Sequence, residues 1–130
     1  QQRFFAPETL ARLTAGPWRV TGAGDRMGVR LDGPRIAPAA TLDMPSEPVS
    51  RGSIQVAGDG VATLLMADHQ TTGGYPKIAT VLDADLDGFA QLRPGDALAF
   101  RAVSSEQATA FARTAALTAR RWRDSLRAMG

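Results

Sequence analysis

Apolar and polar positions alternate through the middle of the chain and step by threes and fours only towards its ends. Ile54 and Val56 flank Gln55 in SIQVA (53–57), a period of two that predicts a short strand with one apolar face. Gly58-Asp59-Gly60 is a hairpin signal and leads into a second strand, Val61 to Met66. Trp18 to Thr21, Met27 to Leu31, Lys77 to Leu82 and Ala97 to Val103 read as further strands; the glycine-rich GAGD separates the first two. Between Asp32 and Arg51 the prolines Pro34, Pro38, Pro45 and Pro48 deny ladder hydrogen bonds, so this stretch reads as a long loop.

Helical spacing appears in three places. Pro7 to Leu13 reads as a short helix with Pro7 in its first turn, Glu8 at its positive end and Gly16-Pro17 as its stop. Asp83 to Leu92 reads as a short helix or helical turn. Ser104 opens a long helix with Gln107 as its capping-box partner. Along it Phe111, Ala115, Ala119, Trp122, Leu126 and Met129 form one apolar stripe. The stripe is expected to cover the strands, and Trp122 among Arg120, Arg121 and Arg123 adds an interface reading. About six short strands that do not alternate with long helices make a doubly wound sheet a poor fit. The expected fold is mainly β: a small antiparallel or mixed barrel with a short N-terminal and a long C-terminal helix.

Composition narrows the function classes. With 130 residues the chain makes one domain or a part of a larger protein, and 44% hydrophobic content supplies a real core. QQRFF carries no initiating methionine and no secretory pattern, and is expected to be either a cut edge of a longer polypeptide or the start of a processed chain. No window approaches 18 uninterrupted apolar residues, so no membrane partner is expected. The absence of cysteine removes disulfides, thiolate catalysis and cysteine-ligated zinc; it fits a reducing compartment, and a cytoplasmic location is expected. Fifteen bases nearly balance thirteen acids, and no basic stripe is interleaved with aromatics, so nucleic acid is not an expected partner. One histidine leaves zinc needing three carboxylates, and no metal site is expected.

The chemistry concentrates in ADHQTTGGYPKI (67–78). Gly73-Gly74 lets consecutive backbone N–H groups point one way, Thr71 and Thr72 add hydroxyls, and Lys77 adds charge, a combination suited to a carboxylate, a carbonyl or a phosphate. A tight turn whose threonines satisfy their own backbone does not require Gln70, Tyr75 and Lys77 as well. Lys77 is also the only lysine against fourteen arginines, which points to a need for a compact ammonium. Asp68 at the strand end is placed to orient Lys77 or a substrate N–H; strand alternation puts His69 on the opposite face, and His69 could serve as a base near neutral pH. Arg26, Arg30 and Asp32 fall at even spacing, one strand face, where two arginines suit a carboxylate or a ureido oxygen and an Arg–Asp pair on a solvated face is the alternative. Gln55 points away from the apolar face, either to solvent or into the interior, where it would have to be paired.

Four segments in this order, GDRMGVRLDGP (24–34), SEPVSRGSIQVAGDG (46–60), ADHQTTGGYPKIATV (67–81) and QLRPGDALAFRAV (91–103), resemble allophanate hydrolase subunit 2, also described as the biotin-dependent carboxyltransferase domain of urea carboxylase. Its close relatives are the C subunit of 5-oxoprolinase and an antagonist of a sporulation kinase inhibitor. The likeness runs from about Phe4 to Val103; Pro48 with Ser50-Arg51-Gly52, and His69, depart from the family pattern. It implies that residues 1–103 form a cyclophilin-like β-barrel, the C-terminal lobe of a larger two-lobe protein; the capping box and stripe add residues 104–130 as a helix expected to pack on it. The site would lie between the two lobes. The implied activity is that of a multi-subunit amide-acting hydrolase or carboxyltransferase. In the preferred form, the C subunit of 5-oxoprolinase, partner subunits open 5-oxoproline with ATP; in the alternative, carboxybiotin on a separate carrier domain delivers a carboxyl group to urea. No cofactor is expected on this lobe itself, nor activity from the fragment alone. Implied partners are the N-terminal lobe, a protein like allophanate hydrolase subunit 1 or the B subunit of 5-oxoprolinase, and a small amide. Asp68, Tyr75 and Lys77 would then be catalytic; Arg26, Arg30, Gln55, Gln70, Thr71, Thr72, Gly73 and Gly74 would bind substrate. A non-catalytic regulatory module that binds a kinase-inhibitor-like partner is the third reading.

Overall fold

A computed structural model of the chain describes residues 1–39 and 44–129. After a 3-10 turn (Gln2–Phe4) come α1 (Pro7–Ala15), β1 (Trp18–Gly24), β2 (Gly28–Asp32), β3 (Glu47–Pro48), β4 (Ser53–Val56), β5 (Ala62–Leu65), β6 (Thr72–Gly73), β7 (Lys77–Thr80), α2 (Asp83–Phe89), β8 (Ala97–Leu98) and α3 (Ser105–Ala128). Six strands form one antiparallel sheet in the order β7-β4-β5-β2-β1-β8, and β3 pairs with β6 as a separate two-stranded ribbon.

Local chemistry explains the two hairpins. Asp25 Oδ1 accepts from the N–H groups of Met27 (2.8 Å) and Gly28 (3.2 Å), which closes the β1–β2 turn around Arg26. Between β4 and β5, Gly60 takes φ +78°, a conformation that favours glycine, while Asp59 Oδ1 accepts from the Val61 N–H at 3.0 Å. The sheet curls as expected, into a half-barrel whose two edges among the described residues are β7 and β8. The core lies on one face, where Ile54, Val56, Leu64 and Leu31 meet Trp18, Ile36, Leu13 of α1 and Leu86 of α2. Trp18 is 1% exposed, donates from Nε1 to the Leu13 carbonyl at 2.8 Å and meets Phe100 edge-on at 6.0 Å.

Four expectations change. The stretch from Asp32 to Arg51 is not all loop: Glu47↔Gly73 and Pro48↔Thr72 pair β3 with β6, while residues 40–43 lie outside the described residues. The strand expected over 97–103 pairs only at Ala97–Leu98, against Arg19 and Trp18; beyond it Phe100 turns to the Trp18 ring. Arg26 and Arg30 do not share a strand face, because Arg26 belongs to the turn before β2. The capping box at Ser104 and Gln107 forms as expected (3.2 Å and 2.9 Å), yet α3 buries none of its described residues. Its stripe does not cover the sheet: the core is already closed by α1 and α2, and among the described residues α3 packs chiefly against α2.

Candidate functional site

The face of the sheet opposite the core carries the candidate site. Alternation puts Ile54 and Val56 into the core and turns Ser53 and Gln55 to the other side. All four residues of β4 are nevertheless buried, Gln55 to 5% exposure and Ser53 to 1%; the β3–β6 ribbon covers Gln55, and Ser50 lies against Ser53. Gly73 of β6 lies directly on the Gln55 carboxamide, and Val49, next to β3, reaches the same spot. The ribbon parts the face into two hollows.

The first hollow, about 550 Å³, is lined by Arg30, Gln55, Thr63, Leu65, Gln70 and Tyr75 together with the β1–β2 turn from Ala23 to Gly28. Gln55 is fixed inside it: its Oε1 accepts from Gln70 Nε2 at 3.2 Å and its Nε2 donates to the Tyr75 carbonyl at 3.5 Å. A primary carboxamide has two acceptor lone pairs and two N–H donors, so Gln55 keeps one of each for a ligand. Arg30 stands 4.0 Å from Asp59, a loose pair that leaves its donors available. Tyr75 and Met27 are exposed at the mouth.

The second hollow, about 470 Å³, lies towards the β7 edge and is lined by Gln1, Pro48, Ser50, Ser53 and the four residues of β7. Lys77 belongs here. Its Nζ donates to the Pro48 carbonyl at 2.9 Å, which ties the ribbon to β7, and its backbone N–H donates to Gln1 Oε1 at 2.8 Å. Ser50 Oγ and Ser53 Oγ are 3.2 Å apart.

The sequence-derived residues therefore divide. Arg30, Gln55, Gln70 and Tyr75 come together, with Gly73 packed behind them. Lys77 shares the Gln55 face, because a bulge that leaves Ile78 buried sets Lys77 opposite Gln55 and Ala79 opposite Ile54, but its Nζ turns to the Pro48 carbonyl and it lines the other hollow. Asp68 does not orient Lys77. It pairs with Arg26 through two bonds, Nε to Oδ2 at 2.6 Å and Nη2 to Oδ1 at 3.2 Å, on the outer rim. Asp68 holds the Arg26 guanidinium above its ordinary pKa, through the hydrogen bond first and the charge second; slight desolvation opposes this. His69 turns Nδ1 to the Gln70 carbonyl at 2.6 Å. Thr71 and Thr72 are exposed and serve the ribbon through their backbones: Thr71 accepts from the Val49 N–H at 3.0 Å, and Thr72 pairs with Pro48. Gly74 adjoins Ser46 and Met44 and lines neither hollow. Ser50 and Ser53 are not singled out by the sequence pattern, although alternation already puts Ser53 on the Gln55 side. Among the described residues no three His, Asp or Glu side chains gather into a metal site, and no helix is long and apolar enough to cross a membrane.

Fold and hollows together define a small, mainly β half-barrel domain with two clefts on one sheet face. Residues 1–102 match the family model described as carboxyltransferase domain, subdomain A and B. The chain is 47% identical over 91 residues to the C subunit of 5-oxoprolinase from Haemophilus influenzae, covering 70% of this chain and 29% of that protein. It is 37% identical over 92 residues to the same subunit from Escherichia coli, covering 71% and 30%. The structure resembles that of the Kluyveromyces lactis urea amidolyase with a TM-score of 0.79 at 27% identity, over 88% of this chain and 7% of that one. The chain belongs to the carboxyltransferase-domain family, subdomains A and B. It spans less than a third of the length of the curated relatives it matches.

Proposed function

We propose that this chain is the C-terminal lobe of a 5-oxoprolinase C subunit and that its first hollow holds the amide of the substrate. The observation that carries this reading is the buried Gln55 carboxamide, with one donor and one acceptor to spare, in the same hollow as Arg30. 5-Oxoproline is a five-membered lactam bearing a carboxylate. The ring holds the amide cis, so its N–H and C=O point the same way and meet a carboxamide edge to edge, while the carboxylate suits a guanidinium. Opening the ring places negative charge on the carbonyl oxygen, and donors fixed there before reaction lower the barrier. Identity supports this choice: 47% to the Haemophilus influenzae protein against 30% to the Saccharomyces cerevisiae urea amidolyase. Catalysis then needs the N-terminal lobe and a partner like the 5-oxoprolinase B subunit, with ATP bound elsewhere in the complex.

The test is ATP-dependent 5-oxoproline hydrolysis by the full-length protein assembled with its partners. Gln55→Leu is expected to lower kcat/KM by at least about a hundredfold, consistent with two lost hydrogen bonds to a reacting group. Parental activity in that variant would end the proposal.

The likeness to the urea amidolyase structure over 88% of the chain favours a second reading, carboxyl transfer from carboxybiotin to urea. Urea offers the same amide edge to Gln55 but has no carboxylate. Arg30→Ala separates the two: KM rises about tenfold for 5-oxoproline, the equivalent of one charge-assisted contact, and stays unchanged for urea.

A further inference from the structure

We propose that the second hollow is a separate binding site for a small oxyanion, a carboxylate or a phosphate, held by Lys77 and the Ser50–Ser53 hydroxyl pair. Nothing in the amide reading uses this hollow, since the ribbon stands between it and Gln55.

Three observations converge. First, spare donors point into it. The Lys77 ammonium has three N–H donors and spends one on the Pro48 carbonyl, leaving two. Ser50 and Ser53 share one hydroxyl hydrogen across 3.2 Å, so the other is free to donate. Ser53 is 1% exposed and lines the hollow, so its hydroxyl is held there away from bulk solvent. Second, the lining carries one formal positive charge and no acid among the described residues, which sets the sign of the ligand. Third, Lys77 is the one lysine in a chain that otherwise uses arginine fourteen times. An ammonium is a compact point charge whose three donors can serve the Pro48 carbonyl and a ligand at once, a geometry that a planar guanidinium does not reproduce. A volume of about 470 Å³ admits a carboxylate or phosphate group with its waters. Both ligands share the same chemistry: oxygens that accept from an ammonium and a hydroxyl.

The single lysine also supplies the probe. The chain labelled with 13C,15N-lysine gives one side-chain spin system, and it is titrated with sodium phosphate, sodium acetate and sodium chloride at matched ionic strength. The expected result is a saturable shift of the Lys77 Cε–Hε signal with phosphate or with acetate, and none with chloride. The salt that saturates identifies the oxyanion class. Ser50→Ala should weaken the affinity by about fivefold or more, the loss of one hydroxyl donor. In the 15N-labelled chain Lys77→Arg, followed through the Thr80 amide, should lose saturable binding; retained chemical-shift dispersion shows that each variant is folded. A linear response equal to that of chloride, or saturation unchanged in both variants, would overturn the proposal. Because Gln55 and Arg30 are untouched, either outcome leaves the amide reading standing or falling on its own assay.

Discussion

Gly73 lies flat against Gln55: a β-carbon on Gly73 would stand 2.6 Å from Gln55 Nε2 and 3.4 Å from Gln70 Nε2. Gly73 is in a short strand, so space and not backbone freedom demands the glycine. The carboxamide in its way is tied to Gln70 and to the Tyr75 carbonyl, and neither tie survives a large shift. Gly73→Ala should therefore displace Gln55 into the first hollow. In the assembled complex KM for the amide substrate is expected to rise about tenfold, the loss of one well-placed hydrogen bond, while the isolated domain still unfolds cooperatively. Unchanged KM would show that the ribbon yields and Gln55 does not.

The same pair predicts a stability effect that needs no substrate. Gln55→Leu removes the acceptor for Gln70 and the donor for the Tyr75 carbonyl. A leucine there gains apolar contact on one side but strands polar partners beneath the ribbon. The expected net loss is about 1–3 kcal/mol, measured by urea unfolding. A stabilised variant would mean that the ribbon leaves this face open to water.

The two tryptophans report opposite environments. Trp18 sits in the core, and Trp122 on α3 is 66% exposed. Acrylamide should quench Trp122 and spare Trp18, and Trp122→Phe should leave a blue-shifted spectrum that changes only when the core unfolds. Two equally protected tryptophans would show that the α3 stripe is covered in solution.

Much of the sheet is legible in the sequence. Alternation marks β4 and β5, Gly58-Asp59-Gly60 marks their turn, and Ser104 with Gln107 marks the start of α3. These signals are local, and local geometry honours them. The ribbon is not legible, because two-residue pairings between Glu47–Pro48 and Thr72–Gly73 leave no period, and Pro48 argues against a strand. The division of the site follows from that gap. ADHQTTGGYPKI reads as one loop, yet the Lys77 side chain is drawn to the Pro48 carbonyl and lines one hollow while Gln70 and Tyr75 line the other. The α3 stripe exists as a stripe; periodicity does not say whether a wall faces it.

Because α3 buries none of its described residues, its stability rests on local terms, and the capping box is the largest visible one. Ser104→Ala removes the acceptor for the Gln107 N–H at 3.2 Å. The expected cost to the helix is about 0.5–2 kcal/mol, seen as lost ellipticity at low temperature with no change in the Trp18 unfolding transition. Coupled loss of both signals would mean that α3 supports the half-barrel.

Asp68 stands in the turn after β5, beside the first hollow, but both of its oxygens face Arg26 and it does not line that hollow. The pair is exposed and also held through the backbone, where the Asp68 N–H donates to the Arg26 carbonyl at 2.9 Å. The pH dependence follows from the sign of the Arg26 shift. Its pKa is raised in the folded state, so its contribution is fully present below the ordinary arginine value and is lost only as pH rises through the raised one. From about pH 6 to about pH 9 the guanidinium stays charged, so Arg26 adds no slope to stability there. Asp68→Asn keeps the shape and the backbone bond and removes the charge. Its difference in melting temperature from the parent should be small and constant across that window, and turnover in the assembled complex should stay within about twofold, as for a rim ion pair. A stable Asp68→Asn variant that loses turnover would instead make Asp68 the group that handles the proton, released from Arg26 when the second lobe closes over the hollow.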